Sequence, residues 1–230
     1  MCSIILNIGP NGVDIAANRD EMMARPWEAP AEYWPGIFGG RDTLAGGTWL
    51  ALNRHGVLAA VLNREGTLGP APGKCSRGGL PLLALRRPSA EAAAGIISAL
   101  DAADYRPFNM VLADATGAYF IRGLGAAQPD TVMLPQGVTM LTSGEPNDFT
   151  IPRIARHLPR FKAAPFAKWG ELLGDSGGTR PEQLNISEAQ NNGFGTVCAS
   201  LVSLPRHGMP EQKFAAGPPD DTEFHDIDWE

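Results

Sequence analysis

The first pattern along the chain is a pair of apolar runs. Ser3-Ile4-Ile5-Leu6-Asn7-Ile8 enters Gly9-Pro10-Asn11-Gly12, and Val13-Asp14-Ile15-Ala16-Ala17 leaves it. Apolar flanks around such turn chemistry predict a β-hairpin over the first twenty-one residues, from Met1 through Asn18-Arg19-Asp20-Glu21. With the turn centred on Pro10 and Asn11, Cys2 faces Arg19, Ile4 faces Ala17, Leu6 faces Ile15 and Ile8 faces Val13. That face is apolar except at its open end. The other face pairs Ser3 with Asn18, Ile5 with Ala16 and Asn7 with Asp14, and is the more polar. The register sets a thiol beside a guanidinium, with carboxylates next door.

Met22 to Gly40, rich in Pro, Trp and Gly, reads as a long ordered loop. A second hairpin follows, in which Gly46 to Leu52 and Val57 to Asn63 flank Asn53-Arg54-His55-Gly56. Arg64 to Gly79 is loop, and Leu80 to Arg87 opens a short helix. Ser89, an N-cap ahead of Ala90-Glu91-Ala92-Ala93-Ala94, starts a helix to Ala103. Phe108 to Ala113 and Ala118 to Arg122 make a third hairpin; Thr131 to Leu134 and Val138 to Thr142, around Pro135-Gln136-Gly137, make a fourth. Amphipathic helices cover Ile151 to Lys162 and Phe166 to Leu173. Asp175 to Gly195 is loop with a short helix near Pro181. Thr196 to Leu204 is a strand, paired with Gln212 to Ala215, and the acidic tail after Gly217 is loosely held. Locally joined strands with grouped helices indicate antiparallel sheet covered by helices, an α+β class, in one domain spanning residues 1–230.

Composition narrows the function classes. Hydrophobic residues at 43% with 19% charged residues suit a globular protein, and 230 residues suffice for a sizeable core. Nineteen basic against twenty-five acidic residues leave a net charge of −6, which excludes a general nucleic-acid footprint. No apolar run reaches the ~18–20 residues of a membrane-spanning helix, and the N-terminus lacks signal-peptide character, so a cytoplasmic protein is expected. Cys2, Cys75 and Cys198 show no CxxC spacing and suggest neither a disulfide framework nor a zinc site. Motifs of the nucleophile elbow, Walker A, H-E-x-x-H and EF-hand types are absent.

Cys2 is the residue whose position carries chemistry. Removal of Met1 in front of this small second residue would give one residue both a thiol and a free α-amine. Their ordinary pKa values, about 8.5 and about 7.7–8.0, suit a nucleophile and a base near neutral pH. Arg19 would favour thiolate and Asp20 would orient the amine. Arg25 could meet an acidic group on a ligand, while Trp27, Trp34, Trp49 and Phe38 either line an apolar pocket or cover the core.

The opening Met-Cys, the Asn18-Arg19-Asp20-Glu21 run, Gly46-Gly47-Thr48-Trp49-Leu50, Asn53 to Asn63, Phe108 to Asp114 and Gly195-Thr196 resemble the NRDE family, also called the transport and Golgi organisation protein 2 family. More distantly the chain is similar to the choloylglycine hydrolase group of N-terminal nucleophile hydrolases. That resemblance implies a four-layer αββα sandwich, Cys2 as nucleophile, Asp20 near the amine and Asn63 as oxyanion-hole donor. It also implies departures. Arg19 stands immediately before Asp20, where the hydrolases place their Arg three residues earlier. Around Thr142-Ser143-Gly144 no Asn occurs before Asn147, and Val197 stands near a late-strand Arg position. Two functions are expected from this. One is an amidohydrolase of linear carbon–nitrogen bonds with Cys2, Arg19, Asp20 and Asn63 as its machinery and Asn18, Arg25 and Trp49 against the substrate. The other is a non-catalytic binder of a hydrophobic ligand, as eukaryotic relatives are linked to haem and lipid handling. Neither metal nor cofactor is expected for the first; haem is a possible ligand for the second, and the partner in either case is a small molecule.

Overall fold

The computed structural model describes residues 2–187 and 192–228. The opening hairpin forms from β1 (Ser3–Gly9) and β2 (Gly12–Met22) in the expected register: Ser3 pairs with Asn18, Ile4 with Ala17, Leu6 with Ile15 and Gly9 with Gly12. In the same sheet β10 (Gly137–Leu141) flanks β1, and β11 (Phe194–Pro205), β12 (Glu211–Ala215) and β13 (His225–Asp226) follow β2. Gly12, at φ +136°, allows this closeness, because a Cβ there would lie 2.1 Å from the Leu204 carbonyl oxygen.

The second sheet runs in chain order through β3 (Trp27–Trp34), β4 (Ile37–Asp42), β5 (Leu50–Asn53), β6 (Leu58–Asn63), β7 (Phe108–Asp114), β8 (Gly117–Gly123) and β9 (Asp130–Met133). The apolar hairpin face meets this sheet: Ile4, Leu6 and Ile15 pack with Leu52, Val111 and Phe120. Burying an aliphatic side chain of this size contributes roughly 1.5–3 kcal/mol. Outside the second sheet, α1 (Gly79–Ala84) and α2 (Ala90–Ser98) bring Leu80, Ala93 and Ile97 against Met110 and Leu112. Outside the first, α3 (Pro152–Ala163) and α4 (Trp169–Leu173) bring Ile154, Leu158, Phe161 and Trp169 against Ile5, Ala16 and Met140. The layers run helix, sheet, sheet, helix, so the α+β class and the four-layer αββα sandwich hold.

Ser89 caps α2 as expected, its hydroxyl accepting from the Ala92 N–H. The helix stops at Ser98 rather than Ala103, since Asp101 begins a separate 3-10 turn over Ala102–Asp104 by accepting from the Ala103 N–H. Three expectations need larger corrections. Trp27 to Asp42 is a hairpin, not a loop; Pro30 falls where the β3–β4 register shifts, which lets a residue lacking an N–H occupy an edge strand. The strands around Pro135-Gln136-Gly137 exist but do not pair: β9 joins β8 and β10 joins β1, one in each sheet. The tail is held, as β13 pairs with β12, Phe224 packs under the helices and Ile227 packs against Val197 and Phe214.

His157 ties α3 to the loop that precedes β11. Its Nε2 lies 2.8 Å from the Glu182 carbonyl oxygen and its Nδ1 3.3 Å from Arg160 Nη1. The neutral ring satisfies both, Nε2–H donating and Nδ1 accepting, whereas a second proton would face a guanidinium. Burial lowers the His157 pKa below its ordinary value. Below about pH 6.5 the unfolded chain therefore binds more protons, so this stability is present above that pH and is lost as pH falls. Urea midpoints should drop between pH 7 and pH 5 in the parent and drop less in His157→Gln; equal slopes would contradict the assignment.

Candidate functional site

Cys2 directly precedes β1 at the open end of the hairpin, half-buried. Its sulfur lies 3.4 Å from the Asp20 backbone N, which donates to it, and 3.6 Å from the Asp20 carbonyl oxygen. Burial, and after it the Asp20 carboxylate, pushes the thiol above its ordinary pKa, against weaker opposing pulls from the Asp20 N–H and Arg19. The thiol is therefore mainly protonated at neutral pH, and a nucleophilic role requires a base beside it.

Strand alternation divides the next residues between two faces. Asp20 points to the helix side and is buried. One carboxylate oxygen accepts from Thr196 Oγ1 at 2.8 Å and the other from Arg153 Nη1 at 3.1 Å, and the same Arg153 nitrogen donates to Ser3 Oγ at 3.1 Å. Asn18 also points that way. Its amide nitrogen donates to the Leu173 and Leu184 carbonyl oxygens at 3.0 and 3.1 Å, so its side chain braces α4, while Asn18 and Cys2 both line a small cavity.

Arg19 points toward the other sheet. Its guanidinium lies 4.3 Å over the Trp49 ring, and Nη2 lies 3.5 Å from an Asp42 oxygen that also accepts from Arg25 Nε at 2.6 Å. Among the described residues nothing hydrogen-bonds to its buried Nη1. Trp49 is set by Gly40, where a Cβ would come within 2.2 Å of the ring, and Trp27 meets it edge-on at 5.9 Å. Opposite Arg19, β11 carries a bulge between Thr196 and Cys198; it leaves Val197 buried with Cys198 and Phe214.

These groups open onto a cleft of about 700 Å³ whose lining includes Cys2, Arg19, Asp20, Arg25, Trp49 and Asn63, at the end of β6, so the structure gathers these predicted residues. Trp34 and Phe38 are not among the lining residues. The loop before α1 contributes Lys74, Cys75 and Arg77 to the same lining, joined by Arg106. Thr142 and Gly144 offer their carbonyl oxygens to the Asn109 amide, and the Asn147 side-chain oxygen accepts from the Met140 N–H in its own turn. None of these lines the cleft.

Arg153 and Asp42 carried no flag in the sequence. For Arg153 a signal existed: a cation in the first turn of a helix opposes the helix dipole, so an unusual partner was needed to hold it there. Asp42 had none.

The model of the family described as Transport and Golgi organisation 2 matches residues 1–172. The chain belongs to that family. Solved structures add fold likeness: penicillin V acylase from Agrobacterium tumefaciens, with 14% identity, 99% of this chain and 86% of that one covered, and a TM-score of 0.63; a mutant conjugated bile acid hydrolase from Clostridium perfringens, with 11% identity, 100% and 97% covered, and a TM-score of 0.59; and the Caenorhabditis elegans ortholog of N-acylethanolamine-hydrolyzing acid amidase, with 12% identity, 87% and 92% covered, and a TM-score of 0.58. At such identities the likeness is one of fold. No curated protein matches the sequence significantly. Among the described residues no helix is long and apolar enough to cross a membrane.

Replacing Arg153 with Met should cost about 3–5 kcal/mol, the usual penalty for stranding one member of a buried pair. Urea unfolding at pH 7 measures it, and a loss under about 1 kcal/mol would show that Asp20 does not depend on that guanidinium.

Proposed function

We propose that the chain is an amidohydrolase of linear carbon–nitrogen bonds with Cys2 as nucleophile. The observation that carries this reading is the Cys2 sulfur held against the Asp20 backbone where Arg19, Trp49 and Asn63 converge on one cleft. The fold shared with three amide-cleaving hydrolases supports it. In this reading Met1, which lies outside the described residues, is removed, and the α-amine of Cys2 takes the thiol proton. The thiolate attacks the amide carbon, donors including Asn63 stabilise the oxyanion, and the amine leaves with the proton. Water then cleaves the thioester and restores the thiol. Asp20 orients the amine, while Arg19, Arg25 and Trp49 hold the substrate.

Intact mass before and after a thiol-directed alkylator tests the nucleophile. The expected result is a chain without Met1 in which Cys2 is labelled ahead of Cys75 and Cys198, and a Cys2→Ser variant that resists labelling. A retained Met1 with an unreactive Cys2 would sink the proposal.

A second reading, a carrier of a hydrophobic ligand such as haem or a lipid, is favoured by Met22, Leu44 and Leu68, large apolar side chains that stay exposed on residues of the cleft lining. For haem, Met22 and Cys75 offer soft donors, and Lys74, Arg77 and Arg106 suit its carboxylates. Titration with haem should shift its absorbance under this reading; an unchanged spectrum at excess haem removes that ligand.

A further inference from the structure

The cleft is not the only space that reaches Cys2. A second cavity, of about 20 Å³, lies between the sheets and shares Cys2, Arg19, Trp49 and Val61 with the cleft. Beyond those residues its walls are mainly apolar, with Ile4, Ala60 and Leu62 among them, and also include the polar Ser3, Asn18 and Ser200. A space of this size holds about one water-sized group. Because apolar side chains make up most of those walls, a methyl group fits there better than an amine that must take up a proton on leaving.

The cleft has the opposite character. Lys74, Arg77 and Arg106 line it, and among the described residues none of them forms an ion pair with a carboxylate. Their donors go to neutral oxygens instead: Lys74 to the Ala103 carbonyl, Arg77 to the Thr67 hydroxyl and the Pro107 and Gly69 carbonyls, and Arg106 to the Gly66, Leu68 and Pro70 carbonyls. Such bonds aim the side chains without neutralising them. Burial, and then the neighbouring Arg106 charge, bring the Arg77 pKa down to about 10. Asp20, Glu21 and Asp42 also line the cleft but are paired with Arg153, Arg25 and Arg19, so in a chain of net charge −6 these three cations are a local excess of positive charge.

We propose that the substrate is an amide joining a short acyl group, about two or three carbons long, to an amine half that carries a negative charge. The acyl methyl or ethyl group enters the cavity between the sheets, and the anionic half lies in the cleft against Lys74, Arg77 and Arg106. The assignment rests on Cys2 being the nucleophile. The bond formed is Sγ to the acyl carbon, the bond broken is that carbon to nitrogen, and the departing nitrogen takes the thiol proton by way of the α-amine. Water then releases the short carboxylic acid.

N-acetylglutamate, N-hexanoylglutamate and the neutral diamide of N-acetylglutamate, offered to the chain with Cys2 at its N-terminus, separate the two subsites by release of free amine. In parallel, calorimetry with Cys2→Ala measures binding of the same three compounds without turnover. The acetyl compound should exceed the hexanoyl compound by at least about tenfold in kcat/KM, since single methylenes already discriminate on that scale in apolar pockets. Lys74→Gln and Arg106→Gln should raise KM for the acidic amide several-fold and leave the diamide unchanged. Equal turnover of the hexanoyl compound or the diamide would overturn the subsites while leaving a hydrolase. No turnover, with tighter binding of N-acetylglutamate than of the other two, would overturn the hydrolase and keep the subsites. Absence of that binding preference overturns the proposal.

Discussion

The buried contact between Arg153 and Asp20 is the constraint on which the site depends. A carboxylate removed from water is costly unless cations and donors surround it. Here the guanidinium comes from α3, the hydroxyl of Thr196 from β11, and Ser3 of β1 shares the same Arg153 nitrogen. Three elements from both ends of the chain therefore meet at one residue of β2. Because that residue's backbone N–H is also what faces the Cys2 sulfur, the interaction that closes the helix layer onto the sheet also sets the thiol.

The Asn18-Arg19-Asp20-Glu21 run works through strand alternation. Asn18 and Asp20 serve the helix side, where they bind α4 and α3, and Arg19 serves the space between the sheets. There Arg19, Trp49, Asp42 and Arg25 form a second brace, which joins the hairpin to the opposite sheet and shapes the wall of the cleft. One short run thus couples the core to the pocket, and a one-residue slip in β2 would exchange the two roles.

Much of this was legible locally. The hairpin register followed from period-two apolar spacing and one turn, and it placed Arg19 beside Cys2. What failed had a weak local signal or depended on partners remote in sequence. Trp27 to Asp42 lacked a strand signature because its edge strand is half exposed and carries Pro30 at an irregularity. The segments around Pro135 had hairpin chemistry, but tertiary pairing sent them to different sheets. The bracing role of Asn18 needs the carbonyls of Leu173 and Leu184, more than 150 residues away, and Arg153 reaches Asp20 across a separation of 133 residues.

The sandwich leaves Cys2 at the junction of a small, mainly apolar cavity and a large cleft rich in cations, a setting suited to holding an acyl group while its amine departs. Trapping the covalent intermediate tests this most directly. The protein would be acid-quenched during reaction with 4-nitrophenyl acetate, a fast acyl donor, and mapped by peptide mass. The account predicts acetyl on Cys2 of a chain that lacks Met1, with none on Cys75 or Cys198. Ester turnover with Cys2 unmodified at every quench time, or a chain that keeps Met1 and still turns over, would contradict it.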